Sequence, residues 1–155
     1  MKTLRLIPIL AMLFMLNVAS MCSSDDDNSN SIFQDPTPVI NTASQGTWRI
    51  TFFEDSGNNE TNHFTGYNFT FGASGALSAT NGTNTYNGTW SVTSDNSGDD
   101  SPSNDLDFNI AFSSPADFTD LTEDWNIISY TATKIQLVHV SGGNGGTDYV
   151  TFEKN

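Results

Sequence analysis

The sequence predicts an all-β domain, an antiparallel up-and-down barrel of eight strands, behind an export signal and a polar tether. Three observations carry that expectation. From Gly46 onward apolar and polar residues alternate in short runs, the two-residue period of half-buried strands. Gly, Asn, Asp and Ser separate the runs so closely that no crossover helix fits between them. Cys22 is the only cysteine, so no intrachain disulfide can hold the fold and a core of large side chains must do so.

At the N-terminus Lys2 and Arg5 precede an apolar run from Leu6 to Leu16, broken only by Pro8 and followed by small residues up to Cys22. This is the layout of an export signal over residues 1–21. Its apolar core of roughly 11 residues falls well short of the ~20 that span a bilayer, so a permanent transmembrane helix is the weaker reading. Two processing routes fit its end. Cleavage after Ser20 frees a soluble domain, whereas cleavage before Cys22 leaves a cysteine able to carry lipid. The segment Val18-Ala19-Ser20-Met21-Cys22 resembles the lipobox of bacterial lipoproteins, departing from it at Met21, where Gly, Ala or Ser is usual. Behind Ser23, the run Ser24-Asp25-Asp26-Asp27 resembles the acidic surface-export signal of Bacteroidetes lipoproteins. By composition alone three Asp in a row make a solvated, self-repelling stretch. The resemblances favour the second route and imply a protein held at the outer membrane through the lipid on Cys22, facing the exterior.

The whole chain carries a formal charge of −13. Loss of the signal removes Lys2 and Arg5 and leaves Arg49, Lys134 and Lys154 against 18 acidic residues, three minus 18, a balance of −15. Such a surface repels nucleic acid and anionic headgroups and argues against both as partners. From Ser23 to Gln45 the chain is Ser, Asp, Asn, Thr and Pro without a period, so residues 22–45 are expected to be a flexible tether. Within it Val39-Ile40 could cap one end of the domain with a short turn of helix.

Eight strands can be marked in residues 46–155. Trp48, Ile50 and Phe52 share a face of the first; Tyr67, Phe69 and Phe71 share one of the second. The turn Gly72 to Gly75 leads into Leu77 and Ala79, and Asn81-Gly82 signals a tight hairpin because both residues tolerate positive φ. Tyr86, Trp90 and Val92 follow in phase, with Gly88 expected to mark a bulge. After an acidic loop from Asp95 to Asn104, Leu106, Phe108, Ile110 and Phe112 alternate with polar or small residues, and one face is plainly buried. Ser114-Pro115-Ala116-Asp117 opens a helical turn near 115–122, with Ser114 as N-cap and Phe118 and Leu121 on one side. Strands at Trp125 to Thr131, Ile135 to Val140 and Thr147 to Glu153 close the chain. Hairpin order suits a barrel or a two-sheet sandwich, and the barrel removes exposed edges by closing on itself.

Gly46-Thr47-Trp48 at the first strand resembles the Gly-x-Trp signature of lipocalins, and Phe71-Gly72-Ala73-Ser74-Gly75 with Gly88-Thr89-Trp90 resembles the lipocalin-like domains of Bacteroidetes lipoproteins. Where many lipocalins lay an arginine of the last strand over that tryptophan, this chain offers Lys154. The resemblance implies a small apolar ligand inside the barrel. Trp48, Phe52, Tyr67, Phe69 and Phe71 would line the site, together with Tyr86, Trp90, Phe108 and Phe112, and the two tyrosines would supply the polar handles. Elementary packing favours the opposite, because an eight-stranded barrel is barely wide enough to be filled by its own side chains or to hold one small ligand.

Other chemistries find less support. There is no free thiol in the domain and no serine in a nucleophile elbow, and His63 and His139 lie far apart in sequence, so the protein is read as no enzyme. Asp95, Asp99, Asp100, Asp105 and Asp107 cluster around one loop, yet their spacing does not fit a calcium loop, and the solvated reading stands. The Asn-x-Thr triplets at Asn59, Asn68, Asn81 and Asn87 are read as turn and strand-edge chemistry. The expectation is a monomer without cofactor or resident metal. It is either a small-molecule binder or a display protein whose barrel is a scaffold and whose loops at 54–65, 94–104 and 141–147 meet partners.

Overall fold

A computed structural model describes residues 35–94, 106–143 and 145–155. The expected signal segment, Cys22, and Ser24 to Asp27 lie outside the described residues, as do Asp95, Asp99, Asp100 and Asp105.

The fold is the expected antiparallel barrel. Among the described residues nine strands run in chain order: β1 (Trp48–Asp55), β2 (Asn58–Asn59), β3 (Asn68–Phe71), β4 (Ala76–Thr80), β5 (Thr85–Ser94), β6 (Leu106–Phe112), β7 (Glu123–Thr131), β8 (Lys134–Val140) and β9 (Thr147–Lys154). From β3 to β9 each strand pairs with the next, and β1 pairs with both β3 and β9, which closes eight strands into a ring. The ninth, β2, is a two-residue addition that folds back on β1, Glu54 opposite Asn59 and Asp55 opposite Asn58. The extra hairpin covers the edge that β1 turns away from β3, since the β1–β3 register is one pair, Trp48 opposite Phe69. The 3₁₀ turn Thr61–Phe64 staples the same edge: Phe53 N donates to Thr61 Oγ1 at 2.8 Å and Glu60 N to Phe53 O at 3.0 Å.

Ordered structure begins ahead of Gly46. Helix α1 (Thr37–Ala43) occupies the end of the segment expected to be tether. Asp35 Oδ1 accepts the Thr37 N–H at 2.9 Å, and Val39 and Ala43, one helical turn apart on one face, are buried in the barrel core. The short turn of helix expected from Val39-Ile40 is therefore present, and it closes the barrel end where β1 starts. The opposite end is closed by the 3₁₀ turn and by α2 (Ala116–Thr119). Pro115 rather than Ser114 takes the N-cap position: the turn closes on the Pro115 carbonyl, which accepts from Phe118 N and Thr119 N at 3.0 Å each. Phe118 and Leu121 are buried as expected.

Three local expectations change. In β1 the pairing with β9 slips between Ile50 (opposite Phe152) and Phe52 (opposite Thr151), a bulge that adds one residue and turns the remainder of the strand over. Trp48 and Ile50 face inward as expected. Phe53 takes the next inward position, and Phe52 is half-buried on the other face. Gly88 marks no bulge, since its pairing with Leu77 and Phe112 is regular. Its lack of a side chain is needed for close approach: a Cβ there would run into the Ala111 carbonyl oxygen and lie 2.9 Å from Cδ1 of Phe112. At Asn81-Gly82 the hairpin is present, but its loop spans four residues between the paired Thr80 and Thr85. Only Gly82 there has positive φ, +85°, while Asn81 keeps negative φ and uses Oδ1 to accept Thr83 N (3.0 Å) and Asn84 N (2.7 Å).

The three tryptophans fasten the connections to the barrel. Trp48 Nε1 donates to Ala43 O (2.8 Å), Trp90 Nε1 to Gly72 O (2.8 Å) and Trp125 Nε1 to Leu121 O (3.0 Å). Each ring contributes apolar area to the core while its single N–H ties it to a carbonyl of a turn or helix end, at Gly72 one that also accepts Gly75 N at 3.0 Å. The Gly72–Gly75 turn and the Gly88-Thr89-Trp90 segment thus belong to one device, which Trp90 N completes by donating to Gly75 O at 2.9 Å. Lys154 of β9 lies over the ring of Trp48, its Nζ 5.3 Å from the ring centre.

Candidate functional site

The family resemblance implied a ligand inside the barrel while packing favoured a filled interior, and aromatic rings meet one another there. Phe71 touches Trp90, Phe108 and Phe152 edge-on at 5.2, 5.4 and 5.4 Å between centroids, and Phe69 meets Phe152 at 5.5 Å. Above them Phe118 of α2 reaches Phe64, Tyr67, Tyr86 and Phe112 at 4.8 to 5.3 Å. Trp48, Phe69 and Phe108 are 0% exposed and Phe71 1%, so these rings are packed against their neighbours and away from solvent. Of the expected lining residues, Trp48, Tyr67, Phe69, Phe71, Trp90, Phe108 and Phe112 face inward and Tyr86 is half-buried beside Tyr67. Phe52 is the one that the β1 bulge removes. A hydrogen bond with Tyr67 is the main cause raising the Tyr86 hydroxyl above its ordinary pKa, with burial next. The two expected handles thus stack on each other, ring centroids 5.8 Å apart.

The sequence reading passed over Phe53, Phe64, Trp125 and Phe152, which complete the ring lattice. It also passed over the rim above it. Where β1 ends and β7 and β9 begin, Asp55, Glu60, Asp117, Asp120, Glu123, Asp124 and Asp148 gather with His63 and His139. The cationic side chains of the described residues stand at the other end, Arg49 and Lys134 both in register with Glu153, and Lys154 beside them. The described part of the barrel is therefore bipolar, with one strongly negative mouth.

Within that mouth carboxylates and imidazoles come close. One oxygen each of Asp55, Glu60 and Asp120 lie within 4.8 Å of one another, as do donors of Glu123, Asp124 and His139. His63 Nδ1 lies 3.7 Å from Glu60 and 3.9 Å from Asp117. His139 Nε2 faces Glu123 Oε2 at 3.4 Å, and its Nδ1 faces Asp124 Oδ1 at 3.3 Å. Asp148 is buried and accepts Ser56 N at 2.8 Å. Burial first, and then Asp55 and Asp117, hold the Asp120 carboxyl above its usual range against the opposing pull of His63. Burial also leads in raising Glu123, opposed by His139 and aided by Asp124, Asp148 and Asp55. The two histidines do not meet, in keeping with their separation in sequence, but each sits among carboxylates. The signal that could have found this rim was the hairpin order itself, because it returns residues 55, 123, 139 and 148 to the same barrel end.

No protein-family model matches the sequence, and comparison with curated proteins also finds no match. Among solved structures the chain is similar to a DUF4847 family protein from Bacteroides vulgatus, with 18% sequence identity and a TM-score of 0.46 over 76% of this chain and 97% of that one.

Proposed function

We propose that this chain is a non-enzymatic envelope lipoprotein whose lipocalin-like barrel is a filled scaffold, carried on an acylated tether and meeting its partners through the loops of the acidic mouth. The observation that supports the scaffold over a carrier is the continuous ring lattice from Trp90 and Phe108 up to Phe118, with α1 and α2 closing the two ends. A typical ligand site needs roughly 300 Å³ or more of space. The mutual contacts of Phe69, Phe71, Phe108 and Phe152 support a filled interior rather than a site of that size. The described residues of loops 54–65 and 141–147 lie at the acidic mouth, so two of the three expected recognition loops meet one surface there. No thiol or elbow serine provides a nucleophile in residues 46–155.

The scaffold reading is tested by titrating the full chain with an environment-sensitive apolar dye and by native mass spectrometry of protein purified from its own host. No saturable signal and a bare acylated mass are expected. Saturable one-to-one dye binding, or a reproducible small-molecule adduct, overturns the scaffold in favour of the carrier. The anchor is tested separately: Cys22→Ser should abolish acyl labelling and release the protein from membranes, and a labelled, membrane-bound variant would refute it.

A further inference from the structure

His139 stands on β8 in register with Asp148 on β9, in the inward phase set by Leu137, at the acidic mouth. Its Nδ1 lies 3.4 Å from the backbone carbonyl oxygen of Asp124 and 3.3 Å from Oδ1 of the same residue. A carbonyl oxygen can only accept, so Nδ1 is the nitrogen that carries the hydrogen. In the neutral ring Nε2 then presents a bare lone pair, and Oε2 of Glu123 lies 3.4 Å in front of it. Two electron-pair donors facing one another at that range repel unless a proton or a metal ion lies between them. The separation also suits a metal. A nitrogen and a carboxylate oxygen, each about 2.1 Å from zinc, stand ~3.4 Å apart at the tetrahedral angle.

We propose that the gap between His139 Nε2 and Glu123 Oε2 seats a first-row divalent ion of the zinc class, with Asp124 as the carboxylate that orients the histidine through Nδ1. The arrangement carboxylate–histidine–metal is how proteins fix the tautomer and direction of a ligating imidazole. The surroundings favour a cation too. Asp148 stands opposite His139 on β9 and Asp55 ends β1 at the same mouth, and the Lys and Arg side chains of the described residues are all at the far end of the barrel. Imidazole with carboxylate suits zinc and its neighbours better than calcium, which takes oxygen ligands. Two protein ligands leave coordination positions open for water or for an oxygen donor of a partner.

The test is calorimetric titration of the chelator-treated full chain with zinc alone at pH 7.5, with His63→Gln as the control for loose attraction of metal to acidic side chains. One saturable event per chain is expected. It should be lost in His139→Gln and in Glu123→Gln, weakened about 10–100-fold in Asp124→Asn, and unchanged in His63→Gln. A readout on the wild-type chain covers variants that fail to fold: zinc should shift the ¹⁵N resonance of His139 Nε2 and leave Nδ1 protonated. Absence of a saturable event, equal loss in the His63 variant, retention in His139→Gln, or an Nε2 resonance that responds to pH but not to zinc each overturns the proposal. The last outcome would mean that a proton alone fills the gap.

Discussion

Phe118 is the ring on which closure of the acidic mouth depends, and its truncation puts a number on the filled barrel. The side chain is 2% exposed and meets the rings of Phe64 (5.3 Å), Tyr67 (5.0 Å), Phe69 (6.0 Å), Tyr86 (4.8 Å) and Phe112 (5.2 Å). Phe118→Ala loses a transfer term of about 2 kcal/mol for the buried ring. The neighbours belong to the 3₁₀ turn, β3 and its approach, β5 and β6, which hold them apart, so the site cannot collapse fully. A residual void of ~80 Å³ at about 24 cal/mol per Å³ costs a further ~2 kcal/mol. The expected loss is about 4 kcal/mol. In urea, with a slope of about 2 kcal/mol/M, the midpoint should fall by ~2 M with the slope unchanged. The assay is equilibrium unfolding followed by tryptophan fluorescence, repeated with saturating benzene. An engineered apolar void of about 150 Å³ stays dry and admits benzene, so with some outward relaxation of the flanking rings benzene should recover part of the midpoint in the variant and none in the wild type. A loss below about 1 kcal/mol would show that the ring is not packed as described. Stabilisation of the wild type by benzene would show that the barrel has space of its own.

Three further perturbations address other parts of the molecule. Phe53→Ala should cost about 3–5 kcal/mol and Phe52→Ala less than ~1 kcal/mol in the same unfolding assay, and equal costs would remove the bulge in β1. Gly88→Ala should cost about 1–3 kcal/mol, because the new methyl meets the Ala111 carbonyl and the Phe112 ring; a neutral result would show that β6 can give way. The raised carboxyls of Asp120 and Glu123 bind protons more readily folded than unfolded. Their stabilising effect is full below the ordinary carboxylate range and is lost as pH rises through the raised values. Thermal midpoints should therefore rise as pH falls from neutrality toward that range, and Asp120→Asn should raise the midpoint at pH 7 and flatten the profile. A midpoint that falls steadily over that interval, or an unchanged slope in the variant, would contradict the assigned environment.

What could be read in advance follows from the range of the forces involved. In β6, Leu106, Phe108, Ile110 and Phe112 alternate without interruption, and the pleat alone sends all four inward. Phe118 and Leu121 follow from one helical turn after a proline. In β1 the same rule fails at Phe52, because the bulge answers to Phe152 and Thr151, some 100 residues away. Gly88 was expected to bend a strand, but it leaves room for a ring on β6, a demand from across the barrel. Val39 was legible as part of a short capping turn, whereas Ala43 gave no sign of itself, and both are buried because the open barrel end receives them. His139, Glu123, Asp124 and Asp148 carry no motif. They meet because two hairpins return them to one rim.

By itself, then, the sequence determined the all-β class, the hairpin order, most of the inward faces, the reliance on a core without disulfides, and the excess of negative charge. These properties follow from pleat, turn chemistry and composition, which act over a few residues or over the chain as a whole. The tertiary structure decided which rings fill the barrel, where one strand slips by a residue, what closes each end, and that carboxylates and imidazoles share one mouth while Arg49, Lys134 and Lys154 hold the other. Those outcomes depend on pairing between strands distant in sequence, where one bulge reverses a face and barrel closure sets charges side by side that no local pattern links.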